Sequence, residues 1–264
     1  MDDRTIDDET ARALAHSLLE AKRTSTAIPP LTAAHPDLTP SDAYGIQQIV
    51  VADRISRGET VIGWKLGLTS KAMQTQLGVD QPDYGPILSG SRVASGAAIA
   101  VEALIAPRVE AEIAVVLRRS LSGPVSREEV LAATDGVCAA IEVIDSRIAD
   151  WKIKLPDTVA DLASSSHVVV SDTLVPIDGF EPRLIGCVFE RDGEILATSA
   201  GAAALGDPLG AVAWASETLG RLGVTMEAGA VIMTGALHAS VPAHAGDRFV
   251  AMFDRLGSLS VGFE

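Results

Sequence analysis

Two glutamates one residue apart, Glu110 and Glu112, lead straight into the apolar run Ile113-Ala114-Val115-Val116-Leu117. A short continuous run of this kind, with Ile and two Val, reads as a buried strand. If the strand already includes Val109, side chains alternate between faces. Glu110 and Glu112 then share one face, and Val109, Ala111 and Ile113 take the other. On a helix the two glutamates would stand about 200° apart and would not converge. Two carboxylates side by side repel. One can stay protonated, Arg108 can neutralise them, or a hard divalent cation such as Mg²⁺ can bridge them through oxygen ligands. A third carboxylate, Glu142, breaks the apolar run Val137–Ile144. A charge in such a run needs a partner. That partner is either Arg147 or Arg108 in an ion pair, or the glutamate pair in a three-carboxylate site. Lys65 interrupts the strand Val61–Leu68 in the same way, and an edge-strand lysine reaching for solvent is the plain alternative. Asp83 sits in the turn-rich stretch Val79–Pro86, where acids commonly shape turns.

Other chemistries are poorly represented. The five histidines, at 16, 35, 167, 238 and 244, form no His-Glu-x-x-His arrangement, which argues against a zinc enzyme. Ser164, Ser165 and Ser166 lack a Gly-x-Ser-x-Gly elbow. The formal net charge of −14 and pI of about 4.7 exclude an electrostatic nucleic-acid binder. Met1-Asp2-Asp3-Arg4 is acidic where a signal peptide would be basic, and no apolar stretch reaches membrane-spanning length. Cys138 and Cys187 lie in apolar runs without metal-type spacing, and read as reduced core cysteines of a cytoplasmic protein.

The elements that must position these residues follow from periodicity. Helices are expected over residues 8–22 and from Pro40 to about Gly58, the second with Thr39 as cap and Asp42 three residues on. A breaker-rich link, residues 25–36, joins them. Residues 1–60 thus form a helical appendage, and 61–264 a β-rich body. In the body, Thr69 or Ser70 would cap a short helix through Leu77, ended by Gly78. Ser126 caps a helix near 127–134, and residues 148–166 lack clean periodicity. Strands are expected at 168–170, 184–191 and 194–199, the last two joined by the hairpin turn Asp192-Gly193. A helix over 208–222 and strands near 230–234, 247–254 and 257–263 complete the chain. Strands outnumber helices without βαβ alternation, so the fold class is α+β with a mixed, largely antiparallel sheet structure.

These stretches carry a family resemblance. Gly63–Lys71 (GWKLGLTSK), Gly78–Gly85 (GVDQPDYG), Pro107–Glu112, Ile141–Arg147 (IEVIDSR) and Thr234–Leu237 resemble the 2-keto-4-pentenoate hydratase group of the fumarylacetoacetate hydrolase superfamily. The likeness runs from about residue 40 to the C-terminus. It implies that superfamily's mixed β-roll behind the small N-terminal helical subdomain, and Mg²⁺ or Mn²⁺ held by Glu110, Glu112 and Glu142. It further implies a small 2-hydroxydienoate or 2-oxoenoate acid as substrate, from meta-cleavage of aromatic compounds. The family motifs place Lys65 at the substrate carboxylate or oxyanion and Asp83 in acid/base work. Leu66, Ser165, Ser166 and Thr234 fall at substrate-contact positions.

The resemblance also implies a homo-oligomer, with association to a paralogous decarboxylase or a downstream aldolase. Within the group, 4-oxalocrotonate decarboxylase shares fold and metal but releases CO₂. Asp80-Gln81-Pro82-Asp83-Tyr84, Asp150-Trp151-Lys152-Ile153, Asp157–Asp161 and Gly235-Ala236-Leu237 are similar to the hydratase side. A non-catalytic partner subunit is the third alternative, and retention of all three glutamates, Lys65 and Asp83 argues against it. One departure stands out: where the family reads Asp-Asn-Ala-Ser, this chain has Asp161-Leu162-Ala163-Ser164.

Overall fold

The computed structural model describes residues 4–70, 74–75 and 79–264. Helix α1 (Asp8–Thr24) starts under Asp7, whose carboxylate accepts from Thr10 N at 2.8 Å. It carries acids in its first turn and Lys22 and Arg23 in its last, as the helix dipole favours. After the one-turn α2 (Leu31–Ala34), α3 (Pro40–Ser56) opens with the expected Thr39–Asp42 capping box and Pro40 in its first turn. The short helix expected from Thr69 or Ser70 to Leu77 with Gly78 as its stop lies largely outside the described residues.

Two sheets make the body. The first contains β1 (Val61–Gly67), β2 (Asp83–Leu88), β3 (Arg92–Val93), β5 (Arg108–Leu117), β6 (Thr134–Ile144), β7 (Ser165–Val170), β10 (Val231–Met233) and β11 (Val241–Pro242). Its order is β2-β1-β10-β5-β6-β7-β3, with β11 also on β5. The second contains β4 (Ala98–Ile99), β8 (Gly186–Arg191), β9 (Glu194–Ala200), β12 (Arg248–Phe253) and β13 (Gly257–Phe263), in the order β4-β13-β12-β8-β9. Pairings are antiparallel except β1 with β10, β3 with β7 and β4 with β13. The architecture is therefore α+β with mixed sheets. Asp192 and Gly193 both have positive φ (53° and 83°) and close the β8–β9 hairpin.

One expectation needs correcting. Residues 79–86 read as a turn-rich loop, yet from Asp83 onward the chain is strand β2, fully buried. Pro86 does not prevent this, because β2 is the end strand of its sheet and needs to pair only with β1.

The main core lies between the sheets. Val109, Ala111, Ile113, Val115 and Leu117 of β5 and Val137, Ala139, Ile141 and Val143 of β6 meet Phe189, Phe249, Ala251 and Val261 of the second sheet. Each fully buried aliphatic side chain contributes about 1.5–3 kcal/mol. A one-residue slip of β5 would turn Glu110 and Glu112 into this core, so the register is firmly set. Helix α4 (Arg127–Ala133) and helix α6 (Pro208–Arg221) cover the same core. A second cluster joins α1 and α3, through Leu18, Ile46 and Val50, to Ile148, Leu162 and helix α5 (Leu155–Ala160). The N-terminal helices thus share their core with the irregular segment 148–162. No helix among the described residues is long and apolar enough to cross a membrane.

Candidate metal and substrate site

Strand register gathers the chemistry on the sheet face away from the main core. Glu110 pairs directly with Glu142 across β5 and β6, and Glu112 follows two residues along β5. On β1, Lys65 pairs with Met233, which pairs with Ala114 on that same face of β5. Lys65 also pairs with Gly85 of β2, and Gly67 with Asp83. Residues opposite one another in a ladder share a face, so Glu110, Glu112, Glu142, Lys65 and Asp83 converge. Below them Ile87, Ala114, Cys138, Ala140, Val168 and Met233 form an apolar floor.

One oxygen from each of Glu110, Glu112 and Glu142 lies within 4.8 Å of the others. Glu112 and Glu142 are both 0 % exposed. Glu112 Oε2 accepts from Gly235 N at 2.8 Å, while Glu112 Oε1 and both oxygens of Glu142 have no hydrogen-bond partner. Buried, orphaned carboxylate oxygens aimed at one point are costly unless something positive joins them. Arg108 does not: its guanidinium donates to Ser240 Oγ and Ser240 O, both at 2.7 Å. Nor does Arg147, which is paired with Asp161. Lys65 is the neighbouring cation, with Nζ 3.3 Å from Glu142 Oε2. It is 4 % exposed and lies between β2 and β10, so it is no edge-strand lysine.

The electrostatics follow from burial and crowding. Desolvation, then Glu142, raise Glu110 to about 7, with Lys65 and Arg108 pulling the other way. Burial, then Glu142 and Glu110, hold Glu112 well above the usual carboxylate range. Burial and then Glu142 raise Asp83 against the pull of Lys65. For Lys65 burial works against the charge, but Glu142, Asp83, Glu110 and Glu112 outweigh it and hold the ammonium above the ordinary lysine range. Four carboxylates around one lysine leave a surplus of negative charge that a divalent cation would offset. The donor set, all oxygen, suits a hard cation of the Mg²⁺ type.

Two glycines make room. A Cβ on Gly67 would lie 2.1 Å from Asp83 Oδ1 and 3.4 Å from Lys65 Nζ, so its absence lets that carboxylate sit beside the lysine. Asp83 Oδ1 is itself buried without a partner. Gly235 has φ +114°, and a Cβ there would fall 2.1 Å from Thr69 Oγ1.

The remaining expected site residues are placed differently. Thr234 is buried and donates from Oγ1 to Ile113 O at 2.8 Å, next to the Gly235 amide. The Leu66 side chain enters the main core, so it offers the site only its backbone. Ser165 is buried, and its carbonyl accepts from Arg147 Nη1 at 2.9 Å. Ser166 Oγ faces the N-terminal helices, where it accepts from Lys22 Nζ at 3.2 Å.

Sequence patterning missed a backbone group. Ala163 O accepts from Lys65 Nζ at 3.0 Å. It is presented by three consecutive residues with left-handed φ, Leu162 (56°), Ala163 (50°) and Ser164 (58°). Each such residue costs about 1–2 kcal/mol, and strain of this kind gathers at functional sites. Arg147 holds the turn, donating to the Asp161 carboxylate, Asp161 O, Ser165 O and Asp145 O. An acid in an apolar stretch fourteen residues after an arginine was the available signal.

Comparison with known proteins extends this picture. The sequence model of the fumarylacetoacetate (FAA) hydrolase C-terminal family matches residues 65–263. The chain belongs to this family. A 2-keto-4-pentenoate hydratase of Paraburkholderia xenovorans (strain LB400) is 43% identical over 251 residues, covering 95% of this chain and 93% of that protein. A 4-oxalocrotonate decarboxylase of Pseudomonas sp. (strain CF600) is 38% identical over 261 residues, covering 98% and 99%. Among solved structures, the 4-oxalocrotonate decarboxylase of Pseudomonas putida G7 complexed with magnesium and adipate superposes with a TM-score of 0.96. It is 36% identical, and the match covers 99% of this chain and 100% of that one. In this FAA hydrolase family member, therefore, a carboxylate-lined site sits on the fold of a relative solved with a divalent cation and a dicarboxylate.

Proposed function

We propose that the chain is a metal-dependent hydro-lyase that adds water to a 2-hydroxy-2,4-dienoate, giving a 4-hydroxy-2-oxo acid in the meta-cleavage degradation of aromatic compounds. The observation that carries this reading is Asp83, a carboxylate with a raised pKa and a buried, unpartnered Oδ1, beside Lys65 at the rim of the three glutamates. Decarboxylation needs an electron sink, whereas hydration also needs a group that moves protons and directs water. Glu110, Glu112 and Glu142 would hold Mg²⁺ or Mn²⁺, which as a Lewis acid supplies stabilisation of negative charge on the substrate's 2-oxygen.

Lys65, fixed by Glu142 and Ala163 O, binds the substrate carboxylate or its oxyanion. As the 2-hydroxyl gives up its proton, C5 gains one, leaving an enone. A water oxygen then bonds to C4 and a proton reaches C3, so the sum is one added water. Asp83 relays these protons and orients the water, and burial, which raises its pKa above the usual carboxylate range, suits a group that must hold and release a proton. Ser165 and the backbone at Leu66 and Thr234 border the substrate. The active form is a cytoplasmic homo-oligomer able to associate with a paralogous decarboxylase or a downstream aldolase. Residues 1–60 serve as an appendage to the catalytic body.

The 0.96 superposition on a decarboxylase favours one second reading, CO₂ release from an oxalocrotonate. Loss of dienoate absorbance over a panel of 2-hydroxydienoates, with CO₂ measured in parallel, separates the two. Hydration without CO₂ supports the hydro-lyase, and dominant CO₂ release overturns it.

A further inference from the structure

A cavity of about 400 Å³ lies between α1, α3 and the start of β7. It is separate from the carboxylate site, and the turn Leu162–Ser165 is the wall between them. Ala163 O takes Lys65 on one side, while Leu162 and Ser165 line the cavity on the other.

The charges facing this cavity do not balance. Arg23 is paired with Glu20, Arg54 with Glu59, Arg57 with Asp53, and Arg147 with Asp161. Lys22 remains. Among the described residues no carboxylate lies within salt-bridge distance of it, and its one polar contact is the donation to Ser166 Oγ at 3.2 Å. The nearby Asp145 carboxylate is already engaged by the amides of Ile105 and Ala106. In a chain of net charge −14, a half-buried lysine without a counter-charge is an anomaly. Burial, and then the field of Arg147, hold its pKa below the ordinary lysine range.

Its neighbours extend the donor set. Ser166 Oγ and His167 Nδ1 are 3.0 Å apart. Lysine only donates, so Ser166 accepts from Lys22 and keeps its own proton for His167 or for a ligand. Burial, then Lys22, lower His167 to about 4, so at neutral pH the ring is uncharged with a nitrogen available to donate.

We propose that this cavity is a second anion site, taking a small carboxylate or phosphate through Lys22, Ser166 and His167. The lysine supplies charge, and the hydroxyl and imidazole supply oriented hydrogen bonds. The four acids lining the cavity do not oppose an anion strongly, because each is held by its own arginine. Of the cavity's lining the proposed hydration uses only Ser165, which the anion site does not, so the inference stands independently of that reading.

The test is calorimetric titration of the full-length, metal-free protein with inorganic phosphate and, separately, with succinate. Saturable one-to-one binding of either is expected, at least tenfold weaker in Lys22→Met and largely kept in Lys22→Arg. Tighter phosphate binding assigns a phosphorylated ligand, and tighter succinate binding a carboxylate. Absence of saturable binding to the wild type, or undiminished binding in Lys22→Met, would overturn the site. Should Lys22→Met fold poorly, the histidine ring NMR signals of the wild type answer the same question. The His167 signal, assigned through His167→Gln, must shift with the calorimetric Kd, and a still His167 refutes the proposal.

Discussion

Glu110 and Glu142 face each other directly across the β5–β6 ladder, two carboxylates at a position where like charges ordinarily destabilise a sheet. Glu112 joins them around one point and adds to the repulsion, so the arrangement favours a cation held among the three. Replacing either Glu110 or Glu142 by Gln removes a charge but keeps the shape. Both variants should fold and lose at least about tenfold in Mg²⁺ affinity, with turnover falling in step. Calorimetry on both decides it, and unchanged metal binding would dismiss the three-carboxylate site.

The same crowding sets a pH dependence for the metal-free protein. Glu110 at about 7, and Glu112 and Asp83 also raised, bind protons more tightly folded than unfolded. Their contribution to stability is complete below the unfolded carboxylate range and is lost as pH rises above it, for Glu110 through about 7. Thermal melts in chelator should therefore show Tm dropping by several degrees between pH 5.5 and 8, a span of roughly a few kcal/mol. With saturating Mg²⁺ the trend should reverse, since the metal takes the ionised form. A flat profile in chelator would mean the glutamates are not mutually strained.

Asp83→Asn keeps the size and the strand but cannot act as a base at neutral pH. Metal and substrate-analogue binding should persist while hydration falls by roughly 10²-fold or more. Near-wild-type turnover would reduce Asp83 to a packing residue.

Lys65→Met retains the stem and removes the charge that Glu142 and Ala163 O orient. The variant should lose at least about tenfold in kcat/KM, mainly through recognition of the substrate's acidic end. It should also melt lower, because Glu142 loses its only nearby cation among the described residues. An unaltered kcat/KM would remove Lys65 from the site.

Leu162 stands where the family reads Asn, in left-handed conformation and 7 % exposed. Asn tolerates that backbone, relieving about 1 kcal/mol of strain. It forfeits about 1.5–3 kcal/mol of aliphatic burial against α3 and α5. Burial is the larger quantity, so Leu162→Asn should unfold at a denaturant midpoint lower by the equivalent of about 1 kcal/mol. A higher midpoint would show that strain, not packing, dominates the turn.

Local order was written plainly in the chain. Thr39 with Asp42 and Ser126 with Glu129 announce their helices, and Asp192-Gly193 its hairpin, because caps and turns are satisfied within a few residues. The alternation from Val109 to Ile113 likewise assigned Glu110 and Glu112 to one face, since a strand's period of two is a property of the backbone. The sequence could not say which cation answers Glu142. Arg108 and Arg147 were the cations the pattern offered it, and Lys65 answers it only because β1 lies beside β10 and the two arginines are drawn off to Ser240 and Asp161. Strand β2 was hidden by its turn-forming residues and emerges only because β1 offers them a ladder. The Ala163 carbonyl had no signature beyond the acid Asp161 in an apolar stretch, and the Lys22 cavity had none. A backbone acceptor has no residue type, and a missing counter-charge exists only once every other charge has found its partner in three dimensions.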